Sequence, residues 1–370
     1  MKVVHIFNEI NFSGAETMYA NAAHLFQKEN IDLIAISTGE NRGNYVNIFE
    51  EKGFKLYHKP ITQFLKNILF FIKYFRNFYS FLRIKKVDVL HIHRAQYYWF
   101  FALCGYFARV QVIRTVHSTF NTKGLVYIRS FIGRVTARKI LKIKFQSISK
   151  SVEENELVYY KNPTIRINNW YDTNRFYQAK NSNERNEIRK KIGLREDTFV
   201  IVTTGSCNQV KQHSEIIKAL SIVNKEFDCF FLHIGSGSLE KVEKELAKSL
   251  GIEEKIYFLG VQKEIRDFLI ASDLFVMTSK YEGLGIAAVE AMACKLPIIL
   301  YDVSGLRDLI SNDDNGYLIE PDFKALSDKI IESSNNFEKM KIKGENGLKF
   351  CLKNYSMNEN VNKIINLYKN

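Results

Sequence analysis

Ten short apolar runs, rich in β-branched and aromatic residues, recur along this 370-residue chain with helix-length segments between them. The first half carries "KVVHIF", "IDLIAIS", "VDVLHIH", "VQVIRTVH" and "FQSIS", spaced by stretches such as Ala15–Asn30 and Ile61–Arg83. The second half repeats the logic with "TFVIVTTG", "FDCFFLHIG", "KIYFLG", "DLFVMTS" and "PIILYD". Runs of this length bounded by turn residues read as buried strands. Strands alternating with helices imply βαβ units and a parallel sheet. The pattern therefore predicts an α/β protein with two parallel-sheet domains, and the length suits two cores. Asn162 to Asn183 is polar and weakly periodic, the place for a linker. The expected division is 1–170 and 171–355, with a closing helix over 356–370 capped by Ser356. Ligands of open α/β sheets bind at the carboxyl ends of the strands.

Charge narrows the partners. Between Phe54 and Val152 there are 19 Lys/Arg and one acid, Asp88, whereas the whole chain carries +13. Such a field is a statement about what the protein meets, not about its fold. The five cysteines are scattered and form no Cys-x-x-Cys pair, which argues for free thiols in a reducing compartment and against both disulfides and a zinc site. The opening "MKVVHIF" reads as a strand and not a signal peptide, and no apolar stretch approaches the roughly 18 residues of a membrane span. The expectation is a cytoplasmic protein.

One stretch bears chemistry on its own. In "SKYEGLGIAAVEAMACKLP", the turn Lys280–Gly285 follows an apolar strand, and Ile286 begins a helix of small residues. Gly283 and Gly285 let backbone approach a ligand closely. The amides near Gly285, Ile286 and Ala287 lie at the positive end of the helix dipole, which suits a phosphate. Glu282 and Glu290 beside that cradle are poor phosphate ligands but good acceptors for sugar hydroxyls. They fit equally a surface glutamate and a helix-capping one. Read as alternating along the strand, His91 and His93 are expected to face one side each, so that only His93, nearer the strand end, has a claim on a cleft, and "HIH" without a nearby acid is no convincing metal site. Gly235-Ser236-Gly237 lacks the third glycine of a dinucleotide fingerprint.

"KYEGLGIAAVEAMACKLPII" resembles the E-x7-E signature of retaining glycosyltransferases of family 4, whose fold is GT-B. "GSCNQVKQHSEIIKAL", "FLHIGSGSLEKVEKEL", "KIYFLGVQKEIRDFLIASDLF" and "GLRDLISNDDNGYLIEP" match later blocks in order; "FNEINFSGAETM", "VDVLHIHR" and "TVHS" match the first half more loosely. The resemblance implies two Rossmann-like domains facing across a cleft, with the C-terminal helix returning to the first. It implies that Glu282 bonds the donor sugar's hydroxyls and Glu290 the ribose. Lys211 would neutralise the pyrophosphate, with Gly205, Ser206 and the amides of Gly285–Ala287 around it. Gly14 would let the first loop close over the donor phosphate, His117 would sit by the reacting centre, and Gly260 and Val261 near the base. A lysine and helix amides can meet a leaving diphosphate in place of a metal, and the sequence has no Asp-x-Asp. No metal and no cofactor is expected, only a nucleotide-sugar donor, preferably UDP-linked.

Two departures stand out. Ser206 occupies the position where the family commonly places an arginine, and an arginine's bidentate fork is not replaced by a hydroxyl. "RINNWYD" replaces a common P-N-G-V-D near the linker.

The basic half then finds a use. "ITQFLKNILFFIKYFRNFYSFLRIKK" crowds aromatics with Lys66, Lys73, Arg76, Arg83, Lys85 and Lys86, and "IRSFIGRVTARKILKIK" adds Arg138 and Lys139. Amphipathic basic segments suit an anionic bilayer surface; the competing reading makes the apolar side core and the cations merely solvated. Nucleic acid is not the expected partner, for no recognition module is present. The sequence thus reads as a retaining transferase serving a lipid-linked or other membrane-associated glycan acceptor at the inner face of the plasma membrane, in capsule, exopolysaccharide or teichoic-type assembly. A nucleotide-sugar epimerase of the same fold, or a silent partner subunit, is the alternative.

Overall fold

The computed structural model describes residues 1–61, 68–119 and 121–370. Two compact units emerge, Met1–Asp172 joined by Met357–Asn370, and Thr173–Ser356. Both are α/β with an all-parallel sheet.

The first unit holds β1 (Lys2–Phe7), β2 (Asp32–Ser37), β3 (Lys55–His58), β4 (Val89–Ile92), β5 (Gln111–Val116), β6 (Lys144–Ser147) and β7 (Ile165–Arg166). Their order is β3-β2-β1-β4-β5-β6-β7. The central strands are largely apolar because helices cover both faces; every residue of β4 is buried. The order reverses between β1 and β4, so the loops leaving their carboxyl ends part and open a crevice. The closing helix Met357–Lys369 buries Val361, Ile364 and Ile365 in the same core as Met18 and Phe26. Its Tyr368 hydroxyl lies 2.6 Å from His91 Nδ1, under the sheet.

The second unit holds β8 (Phe199–Thr204), β9 (Cys229–Ile234), β10 (Ile256–Phe258), β11 (Leu274–Met277), β12 (Ile298–Tyr301) and β13 (Tyr317–Ile319), ordered β10-β9-β8-β11-β12-β13. Here the reversal falls between β8 and β11.

All ten runs read as strands are strands. The additional strands β3, β7 and β13 are short and lie at sheet edges. "KLYH", "IR" and "YLI" are too brief to register as apolar runs. The stretch read as a linker is not a free tether: Ile167, Trp170, Tyr171 and Phe176 are buried, and the Trp170 indole N–H donates to the Met18 carbonyl at 3.3 Å. No helix among the described residues is long and apolar enough to cross a membrane.

Candidate active site

The site in the second unit is assembled where β8 and β11 end side by side. After β8 the chain runs through Gly205, Ser206 and Cys207 into a turn held by Asn208, whose Oδ1 accepts from the amides of Val210 (2.9 Å) and Lys211 (3.0 Å). After β11, the Thr278 hydroxyl donates to the carbonyls of Lys211 (3.1 Å) and Gln212 (3.0 Å), and the Lys280 amide to that of Val210 (2.8 Å). Two loops about seventy residues apart in sequence are thereby stitched into one surface.

On that surface Lys211 Nζ meets Glu282 Oε1 at 2.5 Å, and the Ser279 hydroxyl donates to the same oxygen at 2.7 Å. Both charged side chains stay partly open to solvent, 23% and 16%. An ammonium has three donors, so Lys211 can hold Glu282 and still bind a phosphate oxygen. Beyond Glu282 the helix Ile286–Ala293 begins. Gly285 precedes it with φ +80, and a Cβ there would lie 2.6 Å from Leu306 Cδ2. The first amides of such a helix lack intrahelical acceptors, and those of Ile286 and Ala287 belong to half-buried residues. Glu290 is half-buried one turn further on, and Gly283 lies in the turn itself.

Other expected residues have different settings. Ser206 is exposed beside Gly205. The Gly235 amide donates to the Gly260 carbonyl at 2.8 Å, which places Gly260 beside the end of β9, while Val261 is 65% exposed. Gly235 and Gly237 serve packing, since a Cβ on either would lie 2.0 and 2.4 Å from the carbonyl oxygens of Gly205 and Cys207. Gly14 begins the first helix, Gly14–Lys28, where an added Cβ would meet nothing within 4 Å.

His117 follows β5. Its Nε2 lies 3.2 Å from His93 Nδ1, and His93 Nε2 lies 3.0 Å from His5 Nδ1, a file of imidazoles along the sheet end. Against the expectation of opposite faces, His91 lies on the same face as His93, ring centres 4.2 Å apart, as residues i and i+2 of a strand must; its nitrogens are engaged by Tyr368 and Thr115 and it stays out of the file. Burial, together with the Arg114 guanidinium, pushes the His117 imidazole down to about 4. It is neutral at pH 7. A lowered pKa means that protonation comes only in strong acid, so His117 stays neutral from pH 8 to about pH 5. Histidine ring-proton shifts followed by NMR will show no inflection for this residue within that range; an inflection near 6.5 would contradict the assignment.

Sequence reasoning passed over Gly305, which secures Glu282. Gly305 has φ +85, and its Cβ would stand 2.3 Å from the Glu282 carbonyl oxygen. The Glu282 amide donates to the Ser304 carbonyl at 2.9 Å. The Ser-Gly pair after β12 was a turn signal available in "DVSGL".

The basic helix of the first unit is described over Ile68–Ile84; Lys66 lies outside the described residues. Phe78, Phe81 and Leu82 form its buried side. On the opposite side Ile68 and Leu69 (each 70% exposed) and Ile72 accompany exposed Lys73 and Arg76. Arg83 and Lys86 are exposed; Lys85 is half-buried, its ammonium 5.5 Å from the Tyr57 ring centre. On the helix Gly124–Lys139, Leu125 (84%), Val126 and Ile128 are exposed, as is Lys139, whereas Arg138 is half-buried.

Comparison with known proteins agrees with this layout. The family described as Glycosyl transferases group 1 matches residues 184–350, and Glycosyltransferase Family 4 matches residues 12–150. The chain is a glycosyltransferase of the GT-B type. It is 26% identical over 269 residues to N-acetyl-alpha-D-glucosaminyl L-malate synthase of Bacillus anthracis, covering 70% of this chain and 69% of that one. It is 26% identical over 304 residues to UDP-Gal:alpha-D-GlcNAc-diphosphoundecaprenol alpha-1,3-galactosyltransferase of Escherichia coli, covering 78% and 77%. The solved structure of Anabaena Alr3699/HepE in complex with UDP matches this glycosyltransferase with a TM-score of 0.85 at 16% identity, over 100% of both chains. That likeness carries the fold: two Rossmann-like domains.

Proposed function

We propose that this glycosyltransferase moves a sugar, with retention at the anomeric carbon, from a UDP-sugar to a lipid-linked or other membrane-associated glycan acceptor in cell-surface polysaccharide assembly. The observation that carries the reading is the Lys211–Glu282 pair, at 2.5 Å, next to the start of the helix Ile286–Ala293. An ammonium and helix amides offer a leaving diphosphate fixed positive partners, and the transfer then needs no divalent metal at the diphosphate. Glu282 and Glu290 accept from the sugar and ribose hydroxyls. His117 is assigned to the reacting centre, where a neutral imidazole or its carbonyl does not repel a developing positive charge. Exposed Ser206 brings no cation to the cradle, so Lys211 carries the larger share. The Anabaena structure with UDP supports a uridine donor, and the name of the Escherichia coli relative supports a diphosphoundecaprenol-linked acceptor.

The first unit supports docking to the inner face of the plasma membrane. Its exposed Ile68, Leu69 and Ile72 stand beside Lys73 and Arg76, the arrangement of an interfacial helix. Each cation near an anionic surface contributes about 1 kcal/mol. The double variant Lys73→Gln/Arg76→Gln will bind phosphatidylglycerol vesicles about 30-fold more weakly in sedimentation, with little change on neutral vesicles. Equal binding of both proteins would remove this helix from the docking surface.

Incubation with membranes and labelled UDP-, GDP- and ADP-sugars tests the function. Label extractable with lipid supports transfer. An epimer released without acceptor supports an epimerase, and neither product, with stable binding to an active transferase, supports a silent subunit.

A further inference from the structure

Behind the Lys211 loop, four buried side chains from four elements converge. Cys207 opens the loop after β8, His213 begins the helix His213–Val223, His233 sits in β9, and Glu243 lies in the helix Glu240–Ser249. None is more than 3% exposed. Cys207 Sγ lies 3.6 Å from His233 Nε2, which lies 2.8 Å from His213 Nδ1, which lies 3.5 Å from Glu243 Oε1. One donor atom from each falls within 4.8 Å of all the others. We propose that Cys207, His213, His233 and Glu243 form a tetrahedral zinc site that fixes the loop bearing Lys211.

The donor set and its spacing both fit. Thiolate, imidazole and carboxylate are zinc's ligands, and bonds of about 2.0–2.3 Å at tetrahedral angles set the donors roughly 3.3–3.8 Å apart. Two of the three separations above already fall there, and the two imidazoles need to part by about half an ångström. Charge fits as well. Isolated carboxylates are costly to bury, and Glu243 Oε2 is buried with no hydrogen-bond partner among the described residues. One thiolate, one carboxylate and Zn²⁺ sum to zero. The absence of Cys-x-x-Cys argued against zinc from sequence, but the fold supplies the convergence that spacing does not. Gly235 and Gly237 let the end of β9 lie against Gly205 and Cys207, and the Cys207 amide donates to the Ser236 carbonyl at 3.2 Å. The ion would brace the wall behind Lys211 and take no part in the transfer, so the proposal stands or falls apart from the donor and acceptor.

The test uses the full chain, produced with zinc in the medium and purified without tag or chelator. Elemental analysis is expected to find about one zinc per chain. Stripping with a chelator is expected to lower Tm by about 5 °C, and Zn²⁺ to restore it. Co²⁺-loaded protein is expected to show tetrahedral visible bands with a thiolate charge-transfer band that Cys207→Ser removes. Substoichiometric zinc with no Tm response to added Zn²⁺ would overturn the site. So would zinc retained equally by Cys207→Ser and His233→Gln with no thiolate band in the wild-type cobalt spectrum, which places the ion elsewhere.

Discussion

Lys211→Ala lowers kcat/KM by about 10²–10³-fold while the protein still folds. Negative charge grows on the diphosphate as the glycosidic bond breaks, and the ammonium is the fixed cation beside the cradle. Helix amides remain in the variant, so activity falls without vanishing. The fold tolerates the change because the Lys211–Glu282 pair is partly solvated, and such pairs are worth about 1 kcal/mol or less. Steady-state kinetics with the donor found by the sugar panel, alongside thermal unfolding, separates the two effects. Unchanged kcat/KM would remove Lys211 from the site.

Gly305→Ala is the second large effect, and it acts through Glu282. The backbone at Gly305 has φ +85, where an alanine is strained by about 1–3 kcal/mol. Its Cβ would also stand 2.3 Å from the Glu282 carbonyl oxygen and 3.0 Å from the Glu282 Cβ, so backbone must move. A shift near 1 Å in a positioning group costs about 10²-fold in turnover. Gly14→Ala is the control for stability, since its Cβ meets nothing within 4 Å, and it is expected to alter unfolding by no more than about 0.5 kcal/mol. A Gly305→Ala protein with wild-type Tm and turnover would show that this contact does not set Glu282.

The parallel sheets were legible because their central strands are buried on both faces and leave mainly apolar runs, broken only by buried polar residues such as His5, His91 and Arg114. The shortest edge strands, β3, β7 and β13, escaped notice, with β7 reduced to Ile165–Arg166, both exposed. In the second unit, Lys211, Glu282 and the helix start were legible because a turn, a lone cation and small residues follow strand ends. Their mutual contact was not, since it depends on β8 and β11 being neighbours across a reversal in strand order. Ser279 reaches Glu282 within the same turn, whereas Ser304 and Gly305 reach it because β12 pairs beside β11. The histidines overturn the expectation of opposite faces: His91 and His93, two residues apart on β4, share one face with ring centres 4.2 Å apart, and only the fold gives His93 a place between His5 and His117. Cys207, His213, His233 and Glu243 share no spacing motif and meet only after four elements pack.

A crystal soaked with UDP in magnesium-containing buffer tests the diphosphate cradle most directly. The expected density has the diphosphate within hydrogen-bond reach of Lys211 Nζ and the amides of Ile286 and Ala287, with no ion bridging its oxygens. Nucleotide lodged elsewhere, or bound to the protein through a magnesium ion, would contradict the account.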